Sequence, residues 1–205
     1  PDKDMTVRTP GHNLVVVDES EQRTKERQGS LRFYDSTPRV KVIDISSEAY
    51  AQCPLYRRLC VWVDHGSAGG YFLDVFDVSG GKTHDAVFHG PVPDYHLSGL
   101  LLNPSEVAPY GLRDVASGSA TTPWRVTWAL DADVGFTVWA LPSADEIAQV
   151  GSGWGERGWG HFNDLDKRGE IPYVIRHRQG DDLQSRFVSV LDAYKGAPCV
   201  TSVSR

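Results

Sequence analysis

YFLDVFDVSGGKTHDAVFHG, residues 71–90, contains two runs of side chains with a period of two residues, separated by a glycine turn. Such alternation places successive side chains on opposite faces of a sheet. The segment Ser79-Gly80-Gly81-Lys82 favours a tight turn, because glycine adopts a positive φ without a steric penalty. The stretch therefore predicts a central β-hairpin whose two strands pair with each other in the interior of a sheet.

Two more pairs of alternating runs lie further along the chain. Residues 124–131 and 135–141 alternate in the same way and predict two antiparallel neighbours. Residues 173–177 and 183–191 flank Gln179-Gly180-Asp181-Asp182, which has the composition of a turn. This second region predicts another hairpin.

The whole chain of 205 residues contains about ten such strands and very little helix. One helical turn is predicted from Ser143 to Glu146, which matches a capping box, and residues 103–123 are expected to be irregular. Strands at this spacing with Gly and Pro turns are typical of stacked antiparallel sheets. We therefore expect an all-β fold, a β-sandwich that forms a single domain over residues 1–205.

Composition limits the classes of partner. The net charge is −6 with no long run of one sign, which argues against nucleic acid and against an anionic membrane surface. No apolar run approaches the roughly 20 residues of a membrane span, and no stretch of these residues has the pattern expected of a signal peptide. The spacing of the three cysteines, Cys53, Cys60 and Cys199, does not match a metal-binding motif. The sequence is compatible with one disulfide between two of them. Because the sequence opens at Pro1, it is read as a fragment, a processed piece or a native start.

Two histidines of the central stretch are candidates for substrate binding. His84 and His89 are five positions apart in a strand, so their side chains point to opposite faces and do not share one metal. The alternative is that one of them is a hydrogen-bonded core or rim histidine. No clustered zinc pattern, phosphate loop or GxSxG elbow occurs, so the residues alone assign no catalytic group.

A Gly- and Trp-rich segment, residues 151–166, is the second candidate for substrate binding. Trp154 and Trp159 lie there beside Arg157, His161 and Asn163, and exposed aromatic rings near Arg and Asn side chains can stack on sugar rings. This predicts a carbohydrate contact. The alternative is a loop that folds its tryptophans over a sheet edge.

Several segments resemble, in the same order, those of the heparinase II/III-like polysaccharide lyases. Residues 11–18, GHNLVVVD, followed by Gln22, resemble the HNTVVVDG…Q segment of that family. The other matching segments are residues 56–63 (YRRLCVWV), 71–81 (YFLDVFDVSGG), 84–85 (HD), 88–90 (FHG) and the stretch from Tyr173 through residues 185–190 (SRFVSV) to Tyr194. The likeness covers most of the chain.

The resemblance implies a function and a site. Members of the family join an N-terminal (α/α) toroid to a C-terminal domain of stacked sheets, and cleave uronic-acid polysaccharides by β-elimination with a Tyr and a His as acid and base. Their zinc is held by an HxHxD histidine, a following Asp and the His of the HNTVVVD segment. Here only the last matches, as His12, and no HxHxD occurs.

We therefore expect the sheet domain of a larger lyase that lacks its toroid here and contributes the metal ligand His12 and part of the substrate cleft. The implied partners are an acidic polysaccharide and the missing toroid, and the implied location is the periplasm or outside the cell. By itself the chain is expected to be inactive and to hold no tightly bound zinc. The alternative is a non-catalytic carbohydrate-binding or structural β-sandwich.

Overall fold

A computed structural model of the protein describes residues 7–90, 92, 94–153 and 171–204. These residues form fourteen strands and a few short 3₁₀ turns. The strands are β1 Val15–Val17, β2 Gly29–Ser36, β3 Val40–Ser47, β4 Leu55–Asp64, β5 Gly70–Ser79, β6 Thr83–His89, β7 Tyr95–Ser98, β8 Asn103–Pro104, β9 Arg113–Ala120, β10 Trp124–Ala129, β11 Val134–Leu141, β12 Glu146–Gly153, β13 Ile171–Gln179 and β14 Gln184–Lys195.

The strands build two antiparallel sheets. One sheet has six strands in the order β1-β6-β13-β12-β9-β8, and the other has eight in the order β2-β3-β4-β5-β14-β11-β10-β7. Buried side chains of both sheets meet between them, for example Val15 with Phe76 and Phe187, and Val174 with Trp128. The prediction of an all-β sandwich with very little helix is confirmed.

The central stretch is not a hairpin, which corrects the prediction. β5 pairs with β4 and β14 in the eight-stranded sheet, whereas β6 pairs with β1 and β13 in the six-stranded sheet. The glycine turn carries the chain across the sandwich, with φ of 98° at Gly80 and 79° at Gly81. A Cβ on Gly80 would lie 2.1 Å from the carbonyl oxygen of Gln52, so glycine is required there. Each strand is interior, as predicted, but within its own sheet.

The second predicted hairpin is also a crossing. β13 belongs to the six-stranded sheet and β14 to the eight-stranded one. The two crossing turns lie side by side, because the amide of Gly80 donates to the carbonyl of Leu183 and that of Gly180 donates to Lys82, each over 3.0 Å. The predicted pairing of residues 124–131 with 135–141 is confirmed, since β10 and β11 are antiparallel neighbours.

The helical turn predicted from Ser143 to Glu146 is absent, because β12 begins at Glu146. The Ser143 amide does donate to the Glu146 carboxylate over 3.1 Å, as in a capping box. The same carboxylate, however, is buried against Arg176 of β13, 2.7 Å from its Nε. This ion pair holds Glu146 in the sheet. The stretch expected to be irregular contains β9.

The outer face of the six-stranded sheet is covered in part by the segment before β9. Val16, Val87 and Ile175 point to this face and form a buried cluster with Leu112. Their neighbours Val15 and Val17 point inward, as the alternation requires. None of the helical turns in the described residues is long or apolar enough to span a bilayer. The three cysteines have free thiols.

Candidate functional site

His12 lies at the rim of an open hollow at the start of the first strand. The 3₁₀ turn Thr9–Gly11 precedes it, and its amide donates to the Thr9 carbonyl over 3.1 Å. The side chain is exposed. The hollow is about 960 Å³ in volume and is lined by Val7, Arg8, Thr9, His12, Leu14, Glu21, Gln22, Thr24 and Arg27.

Hydrogen bonds between two segments hold the hollow open. The Glu21 carboxylate accepts from Arg8 Nε at 3.0 Å and from the Thr9 amide at 2.5 Å. The Gln22 amide donates to the Thr9 hydroxyl at 2.9 Å. Burial alone would raise the pKa of Glu21, but the hydrogen bonds from Thr9 and Arg8 outweigh it and lower that pKa. Glu21 is therefore ionised, and its carboxylate links Arg8 and Thr9 in the wall of the hollow.

The hollow carries a positive charge at Arg27. Glu21 neutralises Arg8, whereas Arg27 is exposed and has no ion-pair partner among the residues that the structure describes. His12 and Arg27 thus face the same solvent-filled space. An anionic group is the ligand that such a wall favours.

The hollow is not a complete metal site. Zinc takes three or four protein ligands. Within the described ranges, no group of three or more His, Cys, Asp or Glu side chains is placed to hold a metal ion. His12 offers one imidazole, and the nearby Glu21 carboxylate is already engaged by Arg8 and Thr9. Zinc at His12 would need ligands from outside the part of the chain that the structure describes.

His89 lies near the same end of the sheet. Its amide donates to the side-chain oxygen of Asn13, the residue after His12, over 3.0 Å. Its half-buried ring packs against Tyr173, with 5.3 Å between ring centroids. The structure therefore brings the strand end that carries His89 and the N-terminal segment that carries His12 together.

His84 is a core residue with no exposed surface. Its Nε2 donates to the Gly80 carbonyl over 2.6 Å, and its Nδ1 lies 2.7 Å from the Ser185 hydroxyl. Burial lowers its pKa, so the ring is neutral and Nδ1 accepts from Ser185. This placement corresponds to the alternative of a hydrogen-bonded core histidine, and a substrate would not reach the ring. Trp154 and Trp159 lie outside the described residues.

A cluster on the outer face of the six-stranded sheet was not found from the sequence. The Asp85 carboxylate accepts from Tyr110 Oη and from His177 Nδ1, the latter over 2.6 Å. The sequence places Asp85 on the face opposite His84. It gives no sign that β13 aligns His177 with Asp85, because the two residues are far apart in the chain.

Comparison with known proteins yields structural neighbours only. No protein-family model matches the sequence, and no curated protein matches it. Among solved structures, the chain is similar to a heparan sulfate lyase, HepC from Pedobacter heparinus, with a TM-score of 0.62 and 11% identity over 92% of this chain. It is similar also to the "Heparinase III-BT4657 gene product", with a TM-score of 0.66 and 16% identity over 94% of this chain.

In both cases the match covers 25% of the solved chain, so these 205 residues span about a quarter of the length of the lyases they match. At such low identity the likeness establishes the fold. The chain has the fold of a β-sheet region found in heparan sulfate lyases.

Proposed function

We propose that the chain is the C-terminal sheet domain of a lyase that cleaves a uronic-acid-containing polysaccharide by β-elimination. The observation that supports this most is the fold match over at least 92% of the chain to lyases described as acting on heparan sulfate or named heparinase. The order of the sequence segments, which begins at His12, agrees with the same class of protein.

The chemistry indicates what the chain contributes. Removal of the proton at C5 of a uronate requires a neutralised carboxylate, a base beside C5 and an acid at the leaving oxygen. Arg27 places positive charge on one wall of an open hollow that His12 also lines. That wall is suited to the carboxylate or sulfate groups of an acidic polysaccharide. The remaining groups would come from the toroid.

His12 is proposed as one ligand of a zinc ion completed by residues outside these 205. Its exposure and its position in the segment 11–18 support this role. Metal analysis of the longer protein is the test. We expect about one zinc per molecule, lost in His12→Ala and retained in His96→Ala, which changes another exposed histidine. Unchanged zinc in His12→Ala would remove His12 from the site.

A second surface supports packing against the rest of a larger protein. Tyr34, Ile43 and Phe72 expose 63%, 41% and 46% of their surface and line one apolar groove with Trp62 and Cys60. Contiguous apolar patches of this kind mark interaction sites. We propose that the missing portion of the lyase covers this groove. Alkylation of Cys60 should then be slower in the longer protein than in the 205-residue chain, with Cys199 as the internal control.

Activity is tested by the ultraviolet absorbance of unsaturated uronate products. The 205-residue chain should release none from heparan sulfate or alginate, and a form that includes the toroid should release them. Cleavage by the 205-residue chain would contradict the proposal that catalysis needs residues of the toroid. Binding without cleavage by the longer form would instead favour a carbohydrate-binding module.

Because such polymers lie outside the cytoplasm, we propose that the protein is located in the periplasm or outside the cell. Cell fractionation would test this location.

A further inference from the structure

A short strap crosses the outer face of the six-stranded sheet. The strap, residues 105–112, leads into β9 and contains the 3₁₀ turn Pro109–Gly111. At one end the Ser105 amide donates to the Val115 carbonyl over 2.8 Å. At the other end Leu112 is 4% exposed and packs into the cluster on the sheet.

Glycines in β12 make room for the strap. A Cβ on Gly153 would lie 2.6 Å from Leu112 Cδ2 and equally close to the ring of Tyr173. A Cβ on Gly151 would lie 3.1 Å from Leu112 Cβ. The sheet is therefore shaped to receive Leu112, and the strap is a fitted part of the fold.

Tyr110 is held in a conformation that its side chain must stabilise. Its φ of 57° and ψ of 16° are in the left-handed region, which is unfavourable for a bulky residue. The hydroxyl group reaches down to the sheet and donates to Asp85 Oδ2. This hydrogen bond is a polar contact between the middle of the strap and β6.

Asp85 connects the strap to a titratable group. It is aligned with His177 across the β6–β13 ladder, so the two side chains share the outer face. His177 Nδ1 donates to Asp85 Oδ1 over 2.6 Å, and the side chains are 22% and 5% exposed. Val16, the aligned residue on β1, is apolar and supplies no alternative charge.

We propose that Tyr110, Asp85 and His177 form a pH-sensitive latch, which holds the strap on the sheet while His177 is protonated and loosens it as His177 loses its proton. The charged groups around it support this direction. Glu19, from the β1–β2 connection, acts electrostatically on both Tyr110 and His177, and Gln179 on β13 is a further hydrogen-bond partner of His177. When the imidazolium becomes neutral, it no longer offsets the negative charges of Asp85 and Glu19.

The pH range follows from the shift at His177. The hydrogen bond to Asp85 raises its pKa above the ordinary value of about 6.5. A group with a raised folded pKa contributes stability that is complete below the unfolded pKa and is lost as the pH rises through the folded pKa. Burial and the Asp85 charge raise the pKa of Tyr110, so its phenol stays protonated over this range. The latch therefore loosens on the alkaline side of about pH 6.5.

The test is amide hydrogen exchange of Gly111 and Leu112 at pH 6 and pH 9, expressed as protection factors corrected for the intrinsic exchange rate. In the wild-type chain we expect protection to fall with pH, by up to about tenfold for each unit by which the pKa of His177 is higher with the strap closed than with the strap open. His177→Gln should abolish this pH dependence. Tyr110→Phe, which leaves the Asp85–His177 pair intact, should give low protection at both pH values. His96→Gln, which changes an exposed residue of β7, is the matched control and should behave as the wild type.

A direct titration completes the experiment. The His177 imidazole, followed by NMR, should titrate at lower pH in Asp85→Asn than in the wild type. Equal protection of the wild-type strap at both pH values would overturn the latch, and so would the same pH dependence in His177→Gln. If His177→Gln does not fold, strong protection of the strap in Tyr110→Phe would overturn the latch equally. None of these outcomes depends on the proposed lyase activity.

Discussion

The crossing at Gly80 and the hollow at His12 each contain a histidine, but the first histidine is buried and the second is exposed. At the crossing, His84 has no exposed surface and uses both ring nitrogens within the protein. At the hollow, His12 is exposed and lines the same space as Arg27. Glu21, the carboxylate among the described lining residues, is hydrogen-bonded to Arg8 and Thr9. The first histidine belongs to the fold, whereas the second is available to a ligand.

A polar residue in an apolar strand is therefore not by itself a sign of a binding site. His84 lies in the most strongly alternating stretch of the sequence, yet its ring bonds only to the protein. Its partners are the carbonyl of Gly80 in the first crossing turn and the hydroxyl of Ser185 in β14. His12 stands in a less regular segment and lacks such partners in the described structure. Changes at the crossing should therefore affect stability, and changes at the hollow should affect ligands.

The largest effect is expected for Phe76→Ala at the crossing. Phe76 is 6% exposed and packs edge-on against Tyr56, with 4.8 Å between ring centroids. Removing it should lower the free energy of unfolding by about 3–5 kcal/mol, measured by denaturant titration. Phe72→Ala, at a 46% exposed position of the same strand, is the control and should cost clearly less than Phe76→Ala, because about half of its surface is already in solvent. Equal losses in the two variants would contradict the assigned burial.

Gly80→Ala should be next in size. The residue has a φ of 98°, and a Cβ would lie 2.1 Å from the Gln52 carbonyl oxygen and 2.8 Å from Pro54 Cδ. We expect a loss of about 3 kcal/mol, at the upper end of the range for a strained backbone position. Gly196→Ala is the matched control, since its φ is 81° and nothing lies within 4 Å of its Cβ position. Comparable melting temperatures for the two variants would show that the crossing is less crowded than described.

These crossings also show how far the sequence could predict the fold. Alternation identified the strands around Phe76 and Phe88 and the all-β class, because burial on one face produces a period of two residues. It did not distinguish a hairpin from a crossing, since Gly80-Gly81 permits both and the alternation is the same in each. β9 was missed because Ser117-Gly118-Ser119 carries no apolar alternation. Glycine is required at position 118 for packing, because a Cβ there would lie 2.0 Å from the Leu101 carbonyl oxygen.

Sequence predicted only the part of the candidate site that lies in one contiguous segment. His12 was found through a contiguous segment of sequence. The alignment of Asp85 with His177 arises from the pairing of β6 with β13, and nothing in either segment specifies that partner. The capping box at Ser143 was misleading for the same reason, because Arg176 on a distant strand determines the conformation of Glu146.

A smaller effect is expected for His84→Leu, together with a change in pH dependence. The Gly80 carbonyl would lose its buried donor, at a cost of about 2 kcal/mol. Burial lowers the pKa of His84, so the wild-type residue contributes stability above an unfolded pKa of about 6.5 and loses it as the pH falls through the folded value. Denaturant titrations at pH 5 and pH 7 should show this acid-side loss in the wild type and a reduced loss in His84→Leu. An unchanged acid-side slope would mean that His84 is not the titrating group.

The smallest effect on stability is expected at the hollow. His12→Ala removes an exposed ring that accepts no hydrogen bond from the described residues, while the wall formed by Arg8, Thr9 and Glu21 stays intact. The free energy of unfolding of the 205-residue chain should change by less than about 0.5 kcal/mol. Glu21→Ala is the matched comparison and should cost more, because the Thr9 amide loses its acceptor. The two variants thus separate the ligand-facing surface of the hollow from its supporting wall. A destabilisation of His12→Ala as large as that of His84→Leu would show that His12 serves the fold, and the contrast between the two histidines would fail.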